Sequence, residues 1–486
     1  MKPARGIHSI RDRYDAVVVG GGPGGLAIAA LLCQGGLRPL VVEQKPTLGG
    51  RYRAIEFAGC RVDIAEHLLT AMVTDVHDAY AKQLFNRLGL PLAQKDVKWV
   101  MGVVGRNNGG PPIEFFSMDR SKGIENFFDF FAFAAGMPLG DDERREMARA
   151  FHLMADMSPE TCRKQVHMSF AEWLDQNVHN PIAHMVLSGV TGPLQGSTPD
   201  KVNIGQMANV FGTFPRIGAV PFWYPEHGIL ADAIIAPLAA YIQSHGGDIV
   251  CGVKGRRVLF ENRAVSGIWL SDENETILEI HAPRVVIACP VQFAVGFRRL
   301  VPEEIFPPEW LTALARLREH SHEDLTVFYL LRERLIPDEY YGWIHLFDAA
   351  SGVPTYVGDW ILDHMINAKV PPGKQLIGSY ITANFEGTQF GLDASPQMVR
   401  KAVERWDAAV EKIFPDFRRL IEARVCNLQL NWGRYSWSVV PQELSVKAPA
   451  TDGLYFAGDS ILSVSSLASD KVYDVALQCA KAVLNQ

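Results

Sequence analysis

Gly20, Gly22 and Gly25 stand in a G-x-G-x-x-G arrangement between Tyr14-Asp-Ala-Val-Val-Val19, a short β-branched run, and Leu26 to Gln34, an Ala- and Leu-rich run closed by Gly35-Gly36. In a strand–turn–helix unit the first glycine permits the tight turn, the second lets a pyrophosphate approach the backbone, and the third lets helix pack on strand. The helix then presents free N–H groups and the positive end of its dipole to the phosphates. A second strand, Arg38 to Val42, ends at Glu43, 18 residues past Gly25. A carboxylate there can accept both hydroxyls of an adenosine ribose and disfavours a phosphorylated one. A lone G-x-G-x-x-G is a weak signal, but here strand, turn, helix and acid all agree on a dinucleotide of the FAD or NAD type.

The elements that position this turn belong to an ordinary soluble chain. At 486 residues, and roughly 150 residues per domain, the chain holds about three domains or two large ones sharing a cofactor. Its 54 acidic and 47 basic residues give a net charge of −7, with 48% apolar and 21% charged residues. That balance argues against a nucleic-acid partner, which draws a basic excess. The longest apolar stretch, Ala16 to Leu32, is broken by Gly20 to Gly25, so it is no membrane span. Met1 to Arg13 is short and polar with no apolar core of a signal peptide, which makes the cytoplasm the default expectation. The seven cysteines (Cys33, Cys60, Cys162, Cys251, Cys289, Cys426 and Cys479) are odd in number and lack C-x-x-C spacing. They read as buried small hydrophobes, neither a disulfide framework nor a zinc site.

Three further blocks carry a family signal. They are Leu48-Gly49-Gly50-Arg51 followed by Phe57 to Leu68; Asp452-Gly-Leu-Tyr-Phe-Ala-Gly458-Asp459 with a helix from about Ser469 to Leu484; and Trp223-Tyr-Pro-Glu-His-Gly228, a helix to about Ser244, His245-Gly-Gly, strands around Val258 and Val265, and Val285 to Pro290. In this combination the chain resembles the glycine-doublet flavoproteins, the superfamily of monoamine oxidase, protoporphyrinogen oxidase and the carotenoid (phytoene) desaturases, with the middle block most like the desaturases. The resemblance implies FAD as cofactor, an α/β Rossmann-type domain assembled from discontinuous segments, and an inserted mixed α+β substrate domain. Residues 1–88, 210–290 and 430–486 are assigned to the first, 89–209 and 291–429 to the second. It also implies a cofactor-binding set of Gly20, Gly22, Pro23, Gly24, Gly25, Glu43, Gln44, Gly49, Gly50, Arg51, Gly255, Gly458 and Asp459. Here Glu43 matches the ribose ligand, Asp459 the acid holding the ribityl or pyrophosphate part, and the backbone near Gly255 meets the adenine. No second nicotinamide site is visible, since Gly102-Val-Val-Gly105 with Gly109-Gly110 lacks the strand and helix context and reads as a loop. Electrons are therefore expected to pass to dioxygen, a quinone or another acceptor.

In the inserted region, Ile124, Phe127, Phe128 and Phe131 recur at helical spacing, with Phe130 and Phe133 on an adjoining face. The plain reading is a buried helix; the sharper one is the aromatic wall of an apolar pocket, or a lip touching a membrane peripherally. Asp141 to Glu146, of mixed charge, is a poor flank for anionic lipid. Ser169 and Glu172 have capping-box spacing, a structural role. Pro337 to Pro372 interleaves Tyr340, Tyr341, Trp343, Tyr356 and Trp360 with His345 and His364, and reads equally as a substrate wall or as core. The histidines, His320 and His322 included, give no three-ligand metal spacing.

Four residues are candidates for the chemistry over the flavin ring. If the backbone runs as in the family, Glu66 and His67 lie near that ring as a carboxylate–imidazole pair able to exchange protons, or only one of them faces it. Tyr224 in the Trp223-Tyr-Pro-Glu-His turn is a third. Lys471, where relatives carry a Met/Glu-Gly-Ala run, supplies positive charge to a reduced flavin or else points to solvent. Amine-oxidising relatives place a lysine near the flavin on the strand matching Glu323 to Leu330, at Leu325 or Thr326, and this chain has none there. That departure points away from amine oxidation and toward dehydrogenation or redox-neutral isomerisation of a hydrophobic terpenoid, carotenoid or cyclic substrate. Oxidation of an amine, oxidation of a protoporphyrinogen-like ring, and non-enzymatic binding of a prenylated partner on the same fold are the alternatives.

Overall fold

The computed structural model describes residues 10–67, 69–70, 79–96, 99–104, 113–117, 119, 122–136, 138–189, 191, 198–212, 222–296, 299–319, 322–336, 343–348, 355–362, 367–381, 395–432, 438–466 and 468–485. Its centre is a five-stranded parallel sheet in the order β10-β2-β1-β14-β20, formed by β1 (Ala16–Val19), β2 (Pro39–Glu43), β10 (Asp248–Cys251), β14 (Val285–Ile287) and β20 (Leu454–Phe456). Strands drawn from both ends and the middle of the chain thus share one sheet. β1, β2, β14 and β20 are buried at every residue, as expected of parallel strands covered on both faces. The covering helices are α1 (Pro23–Gln34), α2 (Tyr80–Leu88), α7 (Ala236–Ser244) and α9 (Ala468–Leu484). α1 and α9 pack along one another, where a Cβ on Gly24 would meet Val472 at 3.0 Å and one on Gly35 would meet Leu484 at 2.5 Å.

Small antiparallel units flank this sheet: β3 (Ala54–Phe57) with β4 (Cys60–Asp63); β5 (Leu69–Thr70) and β6 (Gln94–Asp96) on either side of β9 (Phe222–Pro225); and β11 (Lys254–Glu261), β12 (Ala264–Ser271) and β13 (Ile277–His281). The remainder is built on a seven-stranded sheet, β19-β15-β18-β17-β16-β7-β8. Its strands are β7 (Trp99–Val104), β8 (Ile113–Ser117), β15 (His322–Leu331), β16 (Trp343–Asp348), β17 (Thr355–Leu362), β18 (Gln375–Ile381) and β19 (Ile421–Trp432). The glycine cluster at 102–105 is therefore not a loop throughout. Gly102 to Val104 lie in β7, where parallel pairing with β16 and antiparallel pairing with β8 override the local turn signal; Gly105, Gly109 and Gly110 lie outside the described residues.

Side chains alternate across the faces of this sheet. Val327, Tyr329 and Trp360 pack toward α8 (Pro396–Ile413): the Tyr329 hydroxyl donates to Asp407 at 2.7 Å, and Trp360 lies 5.9 Å from Phe414 at the end of that helix. Thr326, Phe328 and Tyr380 point the other way, since Thr326 is opposite Tyr380 in the β15–β18 register. Trp360 is thus core, while Tyr340, Tyr341 and His364 lie outside the described residues.

The helical region contains α3 (Ile124–Ala135), α4 (Asp141–Ala155), α5 (Phe170–Asn177) and α6 (Ile204–Phe211). Phe127, Phe128 and Phe130 of α3 are buried among Phe151 of α4 and Phe211 of α6. That is the buried-helix reading, and it leaves those three rings unable to touch a membrane. Ser169 caps α5, and Glu172 closes the box by accepting from the Ser169 N–H at 2.8 Å. Of the cysteines, Cys33, Cys60, Cys162 and Cys479 are buried; Cys251 and Cys289 are half-buried and Cys426 is exposed, so burial does not describe all seven. No helix among the described residues is long and apolar enough to cross a membrane.

Candidate functional site

The turn after β1 is shaped by close approaches that only glycine permits. A Cβ on Gly20 (φ +121°) would stand 2.8 Å from the Ala288 carbonyl oxygen, and one on Gly25 would stand 2.0 Å from the Gly20 oxygen, so helix, turn and β14 interlock. Gly22 caps α1 without a side-chain acceptor and Pro23 occupies its first turn, so first-turn N–H groups are left for an anion. At the end of β2, Glu43 is buried and accepts from the Gly21 N–H and the Lys45 N–H, both at 2.8 Å. A carboxylate has about four acceptor positions, so capacity remains for a ribose. Gln44, next to it, is exposed.

The glycine doublet docks on this turn, with the Gly49 N–H donating to the Gly21 carbonyl at 2.8 Å. Gly49 and Gly50 both hold positive φ, +116° and +54°. Arg51 Nη2 lies 2.9 Å from Asp459 Oδ2, joining positions 408 residues apart. Gly458, at φ +103°, has nothing within 4 Å of where a Cβ would stand, and a Cβ on Gly22 would meet only Gly50 Cα at 3.9 Å. Tight elsewhere and open at these two glycines, the groove fits the extended pyrophosphate of a dinucleotide. Gly255 sits differently: its missing Cβ faces Leu300, Val19 and Ile268. Gly252 and Val253 instead reach the main chain at the end of β2, their N–H groups donating to the Lys45 and Glu43 backbone carbonyls.

Lys471, on α9, is buried and donates from Nζ to the Asp459 carbonyl oxygen at 2.7 Å. It is neither solvated nor part of the glycine-type helix start of the relatives. Burial pushes its amine down to about 7, against the pull of Asp459, Glu443 and Asp474. One residue earlier, Asp470 accepts from the Tyr80 and Ala81 N–H groups at 3.1 and 2.9 Å and so caps α2. Lys471 therefore fixes the backbone that carries Asp459, while its neighbour fixes α9 to the first third of the chain.

The loop from Asp63 to His67 connects this groove to the seven-stranded sheet. Asp63 accepts from the Leu230 and Ala231 N–H groups at 2.7 and 3.0 Å, capping the helix that leads into α7. Burial raises its carboxyl to about 8, opposed by those two bonds. Glu66 and His67 face different neighbours. The Glu66 N–H bonds the Arg51 carbonyl at 3.2 Å, and its charge acts on Arg51, Tyr52 and Tyr473. His67 is buried against Phe328 and Tyr380, ring centroids 5.5 and 5.8 Å away, with no hydrogen-bond partner for either ring nitrogen among the described residues. Burial pushes its imidazole down to about 3, so it stands as a neutral ring, and no carboxylate–imidazole pair forms. The loop is pinned to the sheet by the Tyr380 hydroxyl, which donates to the Ala65 carbonyl, and by Asn427, which donates to the Ile64 carbonyl at 3.4 Å. Tyr224 is half-buried on β9, opposite Lys95, and the neighbouring Trp223 pairs with Leu69, two residues past His67.

Tyr52 and Tyr473 escaped the reading of the sequence. Both hydroxyls are buried beside Glu66, and burial raises both phenols. Tyr52 directly follows the doublet arginine, which was the available signal. Phe328 and Tyr380 had none, because their shared face depends on register between distant strands.

A family model described as flavin containing amine oxidoreductase matches residues 23–484. The carotenoid phi-ring synthase of Streptomyces griseus is 25% identical over 333 residues, 65% of this chain and 60% of that protein. The all-trans-retinol 13,14-reductase of Rattus norvegicus is 38% identical over 328 residues, 63% of this chain and 52% of that protein. The match thus spans between half and two thirds of these curated relatives. An oxidoreductase from Methanosarcina mazei has the same fold, with a TM-score of 0.62 at 17% identity, covering 97% of this chain and 100% of that one. With a family model that runs almost from end to end and a groove whose glycines and acids suit the cofactor that family carries, the chain belongs to the flavin-containing amine oxidoreductases and is an FAD-dependent enzyme.

Proposed function

We propose that the protein oxidises, or isomerises without net redox change, C–H and C=C bonds of an apolar substrate of terpenoid, carotenoid or retinoid type. When bound, FAD supplies a hydride acceptor at N5. The chain's own part is to hold and to exclude water. The α1 turn with Gly49 and Gly50 would take the pyrophosphate, Glu43 the adenosine ribose, and Arg51 and Asp459 the ribityl end. On this reading residues 1–88, 210–290 and 430–486 form the cofactor part, and 89–209 and 291–429 the substrate part. Dioxygen or a quinone is the expected electron acceptor.

The observation that carries the substrate class is the aromatic face on which the 63–67 loop rests. Phe328 and Tyr380 flank a neutral His67 and Phe57 lies against Phe328, and β15 carries no lysine. Such a surface suits a ring or polyene better than an ammonium ion, which pays heavily for desolvation. The carotenoid and retinol relatives support the same class. Anaerobic mixing of the flavin-loaded protein with polyenes, cyclic terpenoids and primary amines tests it, with chromatography of the organic fraction to detect isomers. Flavin bleaching or product from an apolar compound, and no bleaching by primary amines, is expected. Rapid bleaching by amines alone would replace this reading with amine oxidation.

A further inference from the structure

Three buried polar atoms stand on facing surfaces at the junction of the 63–67 loop and the seven-stranded sheet. Among the described residues, His67 Nδ1 and Nε2 and Thr326 Oγ1 all lack a hydrogen-bond partner, although His67 is 3% exposed and Thr326 fully buried. Their nearness follows from register. Thr326 lies directly opposite Tyr380 and two residues before Phe328 on the same side of β15, and the His67 ring sits against the rings of both. Leu325 and Val327 point to the opposite face. Buried hydroxyls and imidazoles are nearly always hydrogen-bonded, and each that is not calls for an explanation.

We propose that His67 and Thr326 form a hydrogen-bonding subsite for one uncharged oxygen function, a hydroxyl or a carbonyl, on an otherwise apolar substrate. A neutral imidazole offers one donor and one acceptor and a threonine hydroxyl can do either, so between them they satisfy an alcohol or an aldehyde. The surrounding Phe57, Phe328 and Tyr380 rings would take the hydrocarbon on either side. Because burial holds the imidazole uncharged, the pair offers no fixed countercharge to a carboxylate. This inference rests on the apolar-substrate reading above and narrows it from hydrocarbons to oxygenated ones. A site built to bond a polar group discriminates against the analogue that lacks it, because its own atoms are then left unpaired.

Farnesene, farnesol, farnesal and farnesylamine share a C15 skeleton and differ at one end, which makes them suitable probes. Their binding to the flavin-loaded protein is read anaerobically by calorimetry and by perturbation of the flavin spectrum. The wild type is expected to bind farnesol or farnesal about tenfold more tightly than farnesene. Thr326→Val and His67→Phe should each reduce that preference and together erase it, leaving farnesene affinity in place, while Thr326→Ser keeps it. Equal binding of alcohol and hydrocarbon by the wild type, or a preference that survives the double substitution, would overturn the subsite and leave the apolar-substrate reading standing. Failure of all four to bind, or tightest binding of farnesylamine, would overturn that broader reading with it. Should His67→Phe not fold, the wild-type comparison and Thr326→Val decide the question alone.

Discussion

Lys471 shows how a residue's type can be legible and its job not. Its position on the last helix is plain in the sequence, but whether it meets solvent or the site depends on packing, and in the fold it is sealed against the Asp459 carbonyl. The folded amine titrates near 7, the ordinary one near 10.5. Between these values the unfolded chain holds a proton that the folded chain has shed, so stability rises with pH through this window and is lowest below about 7. Lys471→Met should therefore gain on the wild type below pH 7, with the gap narrowing toward pH 10. Thermal unfolding of both proteins across that range measures this, and a gap independent of pH would contradict it. Arg51 and Asp459, by contrast, were legible as partners in one site, and they form an ion pair. Glu66 and His67 were legible only as neighbours. Two adjacent side chains in an extended loop point apart, which spacing alone could not decide.

At the scale of elements, local rules succeeded where the forces are local. Ser169 and Glu172 form the capping box their spacing predicts, and Ser169→Ala should lower stability by about 1 kcal/mol in denaturant unfolding while leaving flavin content unchanged. The strand, turn and helix at 16–34 were equally readable, because Gly20 and Gly25 answer close contacts with one another and with Ala288 just past β14. Gly25→Ala places a methyl 2.0 Å from the Gly20 oxygen. It should cost at least about 1–3 kcal/mol and shed flavin, as seen in thermal midpoint and absorbance together; a stable, yellow variant would show that α1 can move away from the turn. The pairing of β7 with β16 was not readable, since it joins Trp99 to Trp343 and Gly102 of β7 with the glycines after it reads locally as a loop. The same holds for the face shared by Thr326, Phe328 and Tyr380, which exists only once β15 and β18 are in register.

For the molecule as a whole, one sheet collects strands from residues 16, 39, 248, 285 and 454 onward, and this is why a nucleotide site can be written at both ends of the chain. The cofactor class was legible because the motifs that signal it are short with fixed internal spacing; the proposed substrate wall was not, because it is made of single residues from several strands. The most direct measurement is the FAD content of purified wild type, Glu43→Ala and Asp459→Ala, by absorbance and release of the free nucleotide. Each lost carboxylate removes charged hydrogen bonds and should weaken FAD by roughly tenfold or more. A yellow wild type with one FAD per chain, and two variants that lose it on dilution, is the result predicted. Full retention in both variants would contradict the closure of the two chain ends around a single FAD.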